Sequence, residues 1–211
     1  VVPVREVAGL PIDQVMFGGC TNSSLQDVLS IANLLDGQTV STNVDAALYC
    51  GSRQVMLESM RRGAIDKLVR SGVRLMEMAC GGCNGMGFAP PTNGVSLRTG
   101  PRNFLGRCGT ASASVYLVSP EVAAASALAG KIADPRELRV APLTYQVPAK
   151  FIIDDSMFVW PAPADEAEGL TIRRGPNIRP LPEIEALPDE LAGPVMIKVG
   201  DDITTAHIVP A

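Results

Sequence analysis

The run Ile12-Asp13-Gln14-Val15-Met16-Phe17-Gly18-Gly19-Cys20-Thr21-Asn22-Ser23-Ser24, with residues 25–35 behind it, decides the fold. Ile12 to Gly18 is a short apolar segment closed by Gly-Gly-Cys, after which Leu25, Val28, Leu29, Ile31, Leu34 and Leu35 recur at helical spacing. This is strand, turn, helix, and the pattern repeats outward. Val40 to Ala47 reads as a second strand, and Ser52 to Val69 as a helix whose apolar face is Val55, Met56, Met60, Ile65 and Leu68. Val73 to Ala79 reads as a strand running into Cys80-Gly81-Gly82-Cys83, and Ser114 to Val118 as another. The latter feeds a well-signalled helix, with Ser119 as N-cap, Pro120 at the first position, Glu121 at the positive dipole end and Gly130 at the stop. Alternating strands and helices predict an α/β fold, a mostly parallel sheet flanked by helices on both faces. Ligands of such sheets bind beyond the carboxyl ends of the strands, where Cys20 and Cys80 both fall.

Composition narrows the function. The chain has 211 residues, 46% apolar and 19% charged, which excludes disordered and fibrous classes. A formal charge of −4 with five Phe, three Tyr and one Trp offers neither a basic footprint nor stacking platforms, which argues against nucleic acid as a partner. The richest apolar run, Val122 to Leu128, is too short for a membrane-spanning helix. Five cysteines, an odd number, fit a reducing compartment with metal or redox chemistry better than a disulfide scaffold, so a cytoplasmic setting is expected. The opening Val1-Val2-Pro3-Val4 lacks an initiator Met and a signal pattern, and the chain breaks off straight after a strongly patterned segment, as a piece of a longer protein would. Residues 1–141 are expected to form the α/β domain. Nine prolines between 142 and 194 predict an extended connector over 142–193, and Val195 to Val199 a strand opening a second domain over 194–211.

Cys80 and Cys83 alone admit a zinc half-site, a redox dithiol, an iron–sulfur half-site or a buried pair on a glycine turn. A redox dithiol is disfavoured because the pair follows a late strand. Structural zinc wants four ligands, and only Cys20, Cys50, Cys108 and the single histidine, His207, remain. Cys20 sits where a strand ends, glycines free the backbone, and Thr21, Asn22 and Ser23 offer donors before a helix begins. That setting suits an anionic cofactor. Three thiolates can hold three irons of a cubane and leave the fourth open as a Lewis acid. Cys50 and Cys108 read as packing residues, His207 as structural or interdomain, and Arg53 as either an anion contact or a helix-surface residue.

The ordered succession Gly19-Cys20-Thr21-Asn22-Ser23-Ser24, Gly51-Ser52-Arg53, Ala79-Cys80-Gly81-Gly82-Cys83, Pro90-Pro91-Thr92-Asn93-Gly94, Arg102-Asn103-Phe104-Leu105-Gly106-Arg107, Arg174-Gly175-Pro176-Asn177-Ile178 and Gly200-Asp201-Asp202-Ile203-Thr204-Thr205 resembles the aconitase family. The resemblance implies that the chain holds the third α/β domain, the connector and the start of the mobile fourth domain. It implies that Cys20, Cys80 and Cys83 bind a 4Fe-4S cluster and that Arg102 and Arg107 hold substrate carboxylates, a task suited to the planar guanidinium fork. The implied reaction is reversible dehydration and hydration of a small hydroxy-tricarboxylic acid, citrate or isocitrate or a related substrate. Arg174 to Ile178 favours the aconitase branch over the isopropylmalate one. The remaining domains, in cis or on another chain, are the implied partners, and this piece alone is expected to be inactive. Three positions depart from the family pattern: Pro101 for asparagine, Ala206 for aspartate, and Asn84 for an apolar residue. They leave open a hydratase acting on another substrate, or a non-catalytic relative that senses iron or oxidant or binds RNA.

Overall fold

The computed structural model describes residues 1–209, the side chain of Ala206 excepted, so the departure at that position lies outside the described residues. Two compact units are present, Val1–Asp154 and a second from Asp155 onward.

The first unit is a five-stranded, all-parallel sheet in the order β3-β2-β1-β4-β5. Its strands are β1 (Gln14–Gly18), β2 (Asp45–Tyr49), β3 (Arg74–Leu75), β4 (Val95–Arg98) and β5 (Ser114–Leu117). The helices are α1 (Val4–Val7), α2 (Leu25–Leu35), α3 (Arg53–Arg61), α4 (Ala64–Arg70) and α5 (Pro120–Ala129). The caps anticipated for α5 form: the Ser119 hydroxyl accepts from the Val122 amide and Gly130 closes the helix in the left-handed conformation. On α2, Ser24 and Asp27 make a capping box that the sequence reading did not single out.

Several boundaries move, each for a physical reason. The segment from Val40 does not pair as a strand until Asp45, because the amides of Val40 and Ser41 donate to the carbonyls of Ser71 and Ala127. The helix expected over Ser52 to Val69 breaks at Gly63, whose φ of 71° ends α3 and starts α4. The strand expected over Val73 to Ala79 pairs only at Arg74–Leu75 on the sheet edge. β4 was not anticipated at all. Val195 to Val199, expected as a strand, lies exposed without a ladder partner, and an unpaired strand leaves its backbone groups to water.

Side chains alternate across the sheet and define two unlike faces. Val15, Phe17, Ala46, Leu48 and Leu97 point to one face and pack on Val28, Ile31, Leu35, Ile65, Leu68, Ala123 and Ala127 from α2, α4 and α5. On the other face Met16, Ala47 and Tyr49 pack against Phe88 and Met76. The second face is therefore covered by loops, not by the helices expected there. Topology explains this. Parallel crossovers keep one hand, so when the chain stops stepping from β1 towards β3 and returns to run from β4 to β5, its connections change face. The helical connections lie on the first face, and the two long loops, residues 76–94 and 99–113, meet on the second.

Residues 141–154 are fastened to this unit. Asn33 donates to the Ala141 carbonyl at 3.0 Å, and Arg53 pairs with Asp154 at 3.1 Å. In the second unit the described elements are two single-turn helices, Ala164–Ala167 and Thr205–Ile208, and an edge-on contact between Phe158 and Trp160. Among the described residues no helix is long and apolar enough to cross a membrane.

Candidate functional site

The strand order reverses between β1 and β4, and sheets of this kind take their ligands at the carboxyl ends of the strands beside such a reversal. β1 ends in Gly18 and Gly19, with φ of 87° and 128°. A side chain at Gly18 would put its Cβ 2.1 Å from the Tyr49 carbonyl oxygen, so only glycine lets the chain turn out of the sheet there. The loop is then laced to the end of β4: the Gly18 amide donates to Thr99 Oγ1 at 2.7 Å, and Asn22 Nδ2 donates to the Thr99 carbonyl. Ser23 donates to the Gly19 carbonyl at 2.6 Å. Cys20 stands exposed on this braced loop, close to the amino end of α2. Asn22 and Ser23, read as free donors from the sequence, are thus used in bracing the loop.

Cys80 and Cys83 lie in the 76–94 loop beyond β3. Gly82–Asn84 form a turn of 3-10 helix, closed by Gly85 at φ 86° and by Met86 donating its amide to the Gly81 carbonyl at 2.8 Å. The Asn84 side chain accepts from the Met86 amide, so this departure from the family pattern caps its own turn. Gly82 lies flat on the sheet, where a Cβ would come within 2.8 Å of the Tyr49 ring and Met16 Sδ. Beside the turn is a cavity of about 580 Å³ lined by Tyr49, Met76, Glu77, Cys80, Asn84 and Met86, among others. The Tyr49 hydroxyl is buried without a partner, and burial raises its pKa, with Arg98 and Arg74 opposing.

The 99–113 loop brings in the arginines. Arg102 is exposed in the loop that leaves β4 at the strand-order reversal, two residues beyond Gly100, whose Cα approaches Gly19. Arg107 is half-buried, with Nη2 3.6 Å from Cys83 Sγ and its guanidinium stacked on Phe104. Its Nε is buried without an acceptor. Cys108, buried below, points its thiol at the Cys83 carbonyl at 3.8 Å.

Cys20, Cys80 and Cys83 are free thiols, the ligand type that iron–sulfur groups take, on loops at the carboxyl ends of the strands, and Cys83 lies beside a guanidinium. Among the described residues no three Cys, His, Asp or Glu side chains are gathered closely enough to hold an ion.

A profile described as the aconitase family (aconitate hydratase) matches residues 3–130. The chain belongs to the aconitase family. It is 40% identical over 138 residues to the 3-isopropylmalate dehydratase large subunit of Methanoregula boonei, a match covering 65% of this chain and 33% of that protein. The corresponding subunit of Pyrobaculum arsenaticum is 44% identical over 135 residues, covering 63% and 32% of the two chains. "3-Isopropylmalate dehydratase large subunit 1" of Archaeoglobus fulgidus is 38% identical over 140 residues, covering 66% and 34%. The chain thus spans about a third of the length of these curated relatives.

Within this aconitase-family domain the remaining candidates sort themselves. Cys50 and Cys108 are buried, as expected of packing residues, and burial pushes both thiols up, that of Cys50 to about 11. Arg53 is committed to Asp154. His207 accepts the Thr204 amide through Nδ1 at 3.0 Å, capping its own helical turn. The residue that sequence reading missed is Arg98, a fully buried arginine at the carboxyl end of β4.

Proposed function

We propose that this chain is the thiolate-bearing part of a hydro-lyase that removes and adds water across a carbon–carbon bond of a small hydroxy acid carrying two or more carboxylates. The observation that carries the reading is the meeting, on one face and one edge of the sheet, of the loops that bear Cys80, Cys83, Arg102 and Arg107, with Cys20 on the adjoining strand end. Cys20, Cys80 and Cys83 are the proposed ligands of a 4Fe-4S cluster. When bound, such a cluster supplies a Lewis-acidic iron for the departing hydroxyl.

This chain's own side chains do the rest of what it offers. Arg102 is the proposed grip on a substrate carboxylate, since a guanidinium can offer two parallel hydrogen bonds and stays charged at any working pH. Arg107, with its guanidinium beside Cys83, would balance the charge of a bound thiolate. The base that takes the proton comes from parts of the enzyme outside these residues.

The names of the relatives favour a hydroxy-dicarboxylate of the isopropylmalate type over citrate. Arg174 to Ile178, which favoured the aconitase branch, lies outside the region matched to the family. Those relatives are large subunits, which supports a partner that completes the site, as a second subunit or as further domains.

The test is anaerobic reconstitution of the intact enzyme with iron and sulfide, then assay against a panel of 2- and 3-hydroxy acids. Iron–sulfur absorption should appear, and Arg102→Gln should lower kcat/KM about 10- to 100-fold, the value of one charged hydrogen-bonding group. Tightly bound zinc without that absorption overturns the reading.

A further inference from the structure

Arg98 is 1% exposed and lies on the loop-covered face of the sheet. Its guanidinium is fully engaged. Nε donates to Ser96 Oγ at 3.1 Å, Nη2 to Gln14 Oε1 at 3.0 Å and to the Phe88 carbonyl at 2.8 Å, and Nη1 to the Gly82 carbonyl. Gln14 and Ser96 belong to the neighbouring strands β1 and β4, whereas Gly82 belongs to the cysteine turn and Phe88 to the same 76–94 loop. One rigid planar fork therefore pins the turn to the middle of the sheet. Gly82 directly precedes Cys83, so fixing its carbonyl fixes the peptide bond that leads into Cys83 and holds the turn that begins at Cys80. The turn can lie this close only because Gly82 has no side chain to strike Tyr49 and Met16.

Charge points the same way. All four of these acceptors are neutral, and a cation buried among neutral groups is costly unless an anion lies near. Among the described residues no carboxylate hydrogen-bonds to or pairs with Arg98. Thiolates at the turn, or an anionic group held by them, would complete the balance.

We propose that Arg98 is a positioning residue for the Cys80–Cys83 turn, fixing its carbonyl backbone on the sheet and supplying from beneath the positive charge that an anionic, thiolate-held metal group requires. The electrostatic half rests on the reading of Cys80 and Cys83 as ligands. The anchoring half rests on the contacts alone.

The experiment compares the intact enzyme with Arg98→Lys, which keeps the charge and loses the fork, and Arg98→Met, which loses both. After anaerobic reconstitution, iron release to a chelator should be several-fold faster in Arg98→Lys and about tenfold or more faster in Arg98→Met, as for other groups that orient metal ligands. The visible absorption of the bound cluster should shift in both. In metal-free protein, alkylation of Cys80 and Cys83, followed by peptide mass, should rise several-fold while Cys108 stays protected. Unchanged iron release and unchanged Cys83 alkylation in an Arg98→Lys protein with wild-type circular dichroism overturns the proposal. If Arg98→Met does not fold, Arg98→Lys decides. If the wild-type enzyme takes up no iron, the cluster reading falls, and the alkylation rates still decide whether Arg98 anchors the turn.

Discussion

Among single residues, the five cysteines divide by environment. Cys20 and Cys80 are exposed and Cys83 half-buried, whereas Cys50 packs in the helical core with its Sγ 3.9 Å from Met56 Sδ. Burial penalises the thiolate, so the folded Cys50 ionises near 11 while the unfolded thiol ionises near 9.0. The unfolded chain therefore loses this proton first as pH rises. Stability from Cys50 is fully present below about pH 9 and falls between about 9 and 11, by up to roughly 2–3 kcal/mol. Urea unfolding at pH 8 and pH 10.5 should show a shallower loss in Cys50→Val, which keeps the volume and removes the titration. An identical loss in both proteins would mean that other groups set the alkaline limit. These environments could not be read from the cysteines' sequence neighbours alone, since Cys50 precedes Gly51 and Cys108 lies between Gly106 and Gly109, much as the other three have glycines beside them.

The elements follow their local signals closely where caps and spacing agree. Ser24 begins α2 because its hydroxyl and the Asp27 carboxylate reciprocally satisfy amides that the first turn leaves open. Ser24→Ala should lower stability by about 1 kcal/mol, read as a drop in the denaturation midpoint with an unchanged urea slope. It should also loosen the Cys20 loop, which the helix start supports. The signals failed where a residue type was used against its usual role. In β4, Val95-Ser96-Leu97-Arg98 alternates as a strand should, but Ser96 and Arg98 look like a solvent face, and the prolines and glycines around them look like a loop. Both polar side chains are in fact buried beneath the cysteine turn. Gly63, by contrast, was visible as a glycine inside a helical pattern, and it breaks that helix.

Across the whole molecule, the described chain is one sheet-based unit followed by a largely exposed segment. Arg173, Arg174 and Arg179 are exposed, with no regular element near them, while the first unit closes at Asp154. Limited trypsin digestion should cut first at these arginines and leave a resistant fragment containing Cys20, Cys80 and Cys83, identified by intact mass. Early cleavage at Arg61, Arg62 or Arg70 would show instead that the α3–α4 side opens before the segment does.

Local period, turn chemistry and ordered motifs are enough to reveal the parallel α/β character, the Ser119 and Gly130 caps, the aconitase-family membership and the candidate ligands. Tertiary structure alone decided which loops meet. The return of the chain to the far side of β1 puts two connections on the face without helices, bringing Arg107 to Cys83 and leaving Arg98 beneath Gly82. Nothing in a local stretch encodes that reversal. It arises from the fixed hand of parallel crossovers acting on the order of five strands.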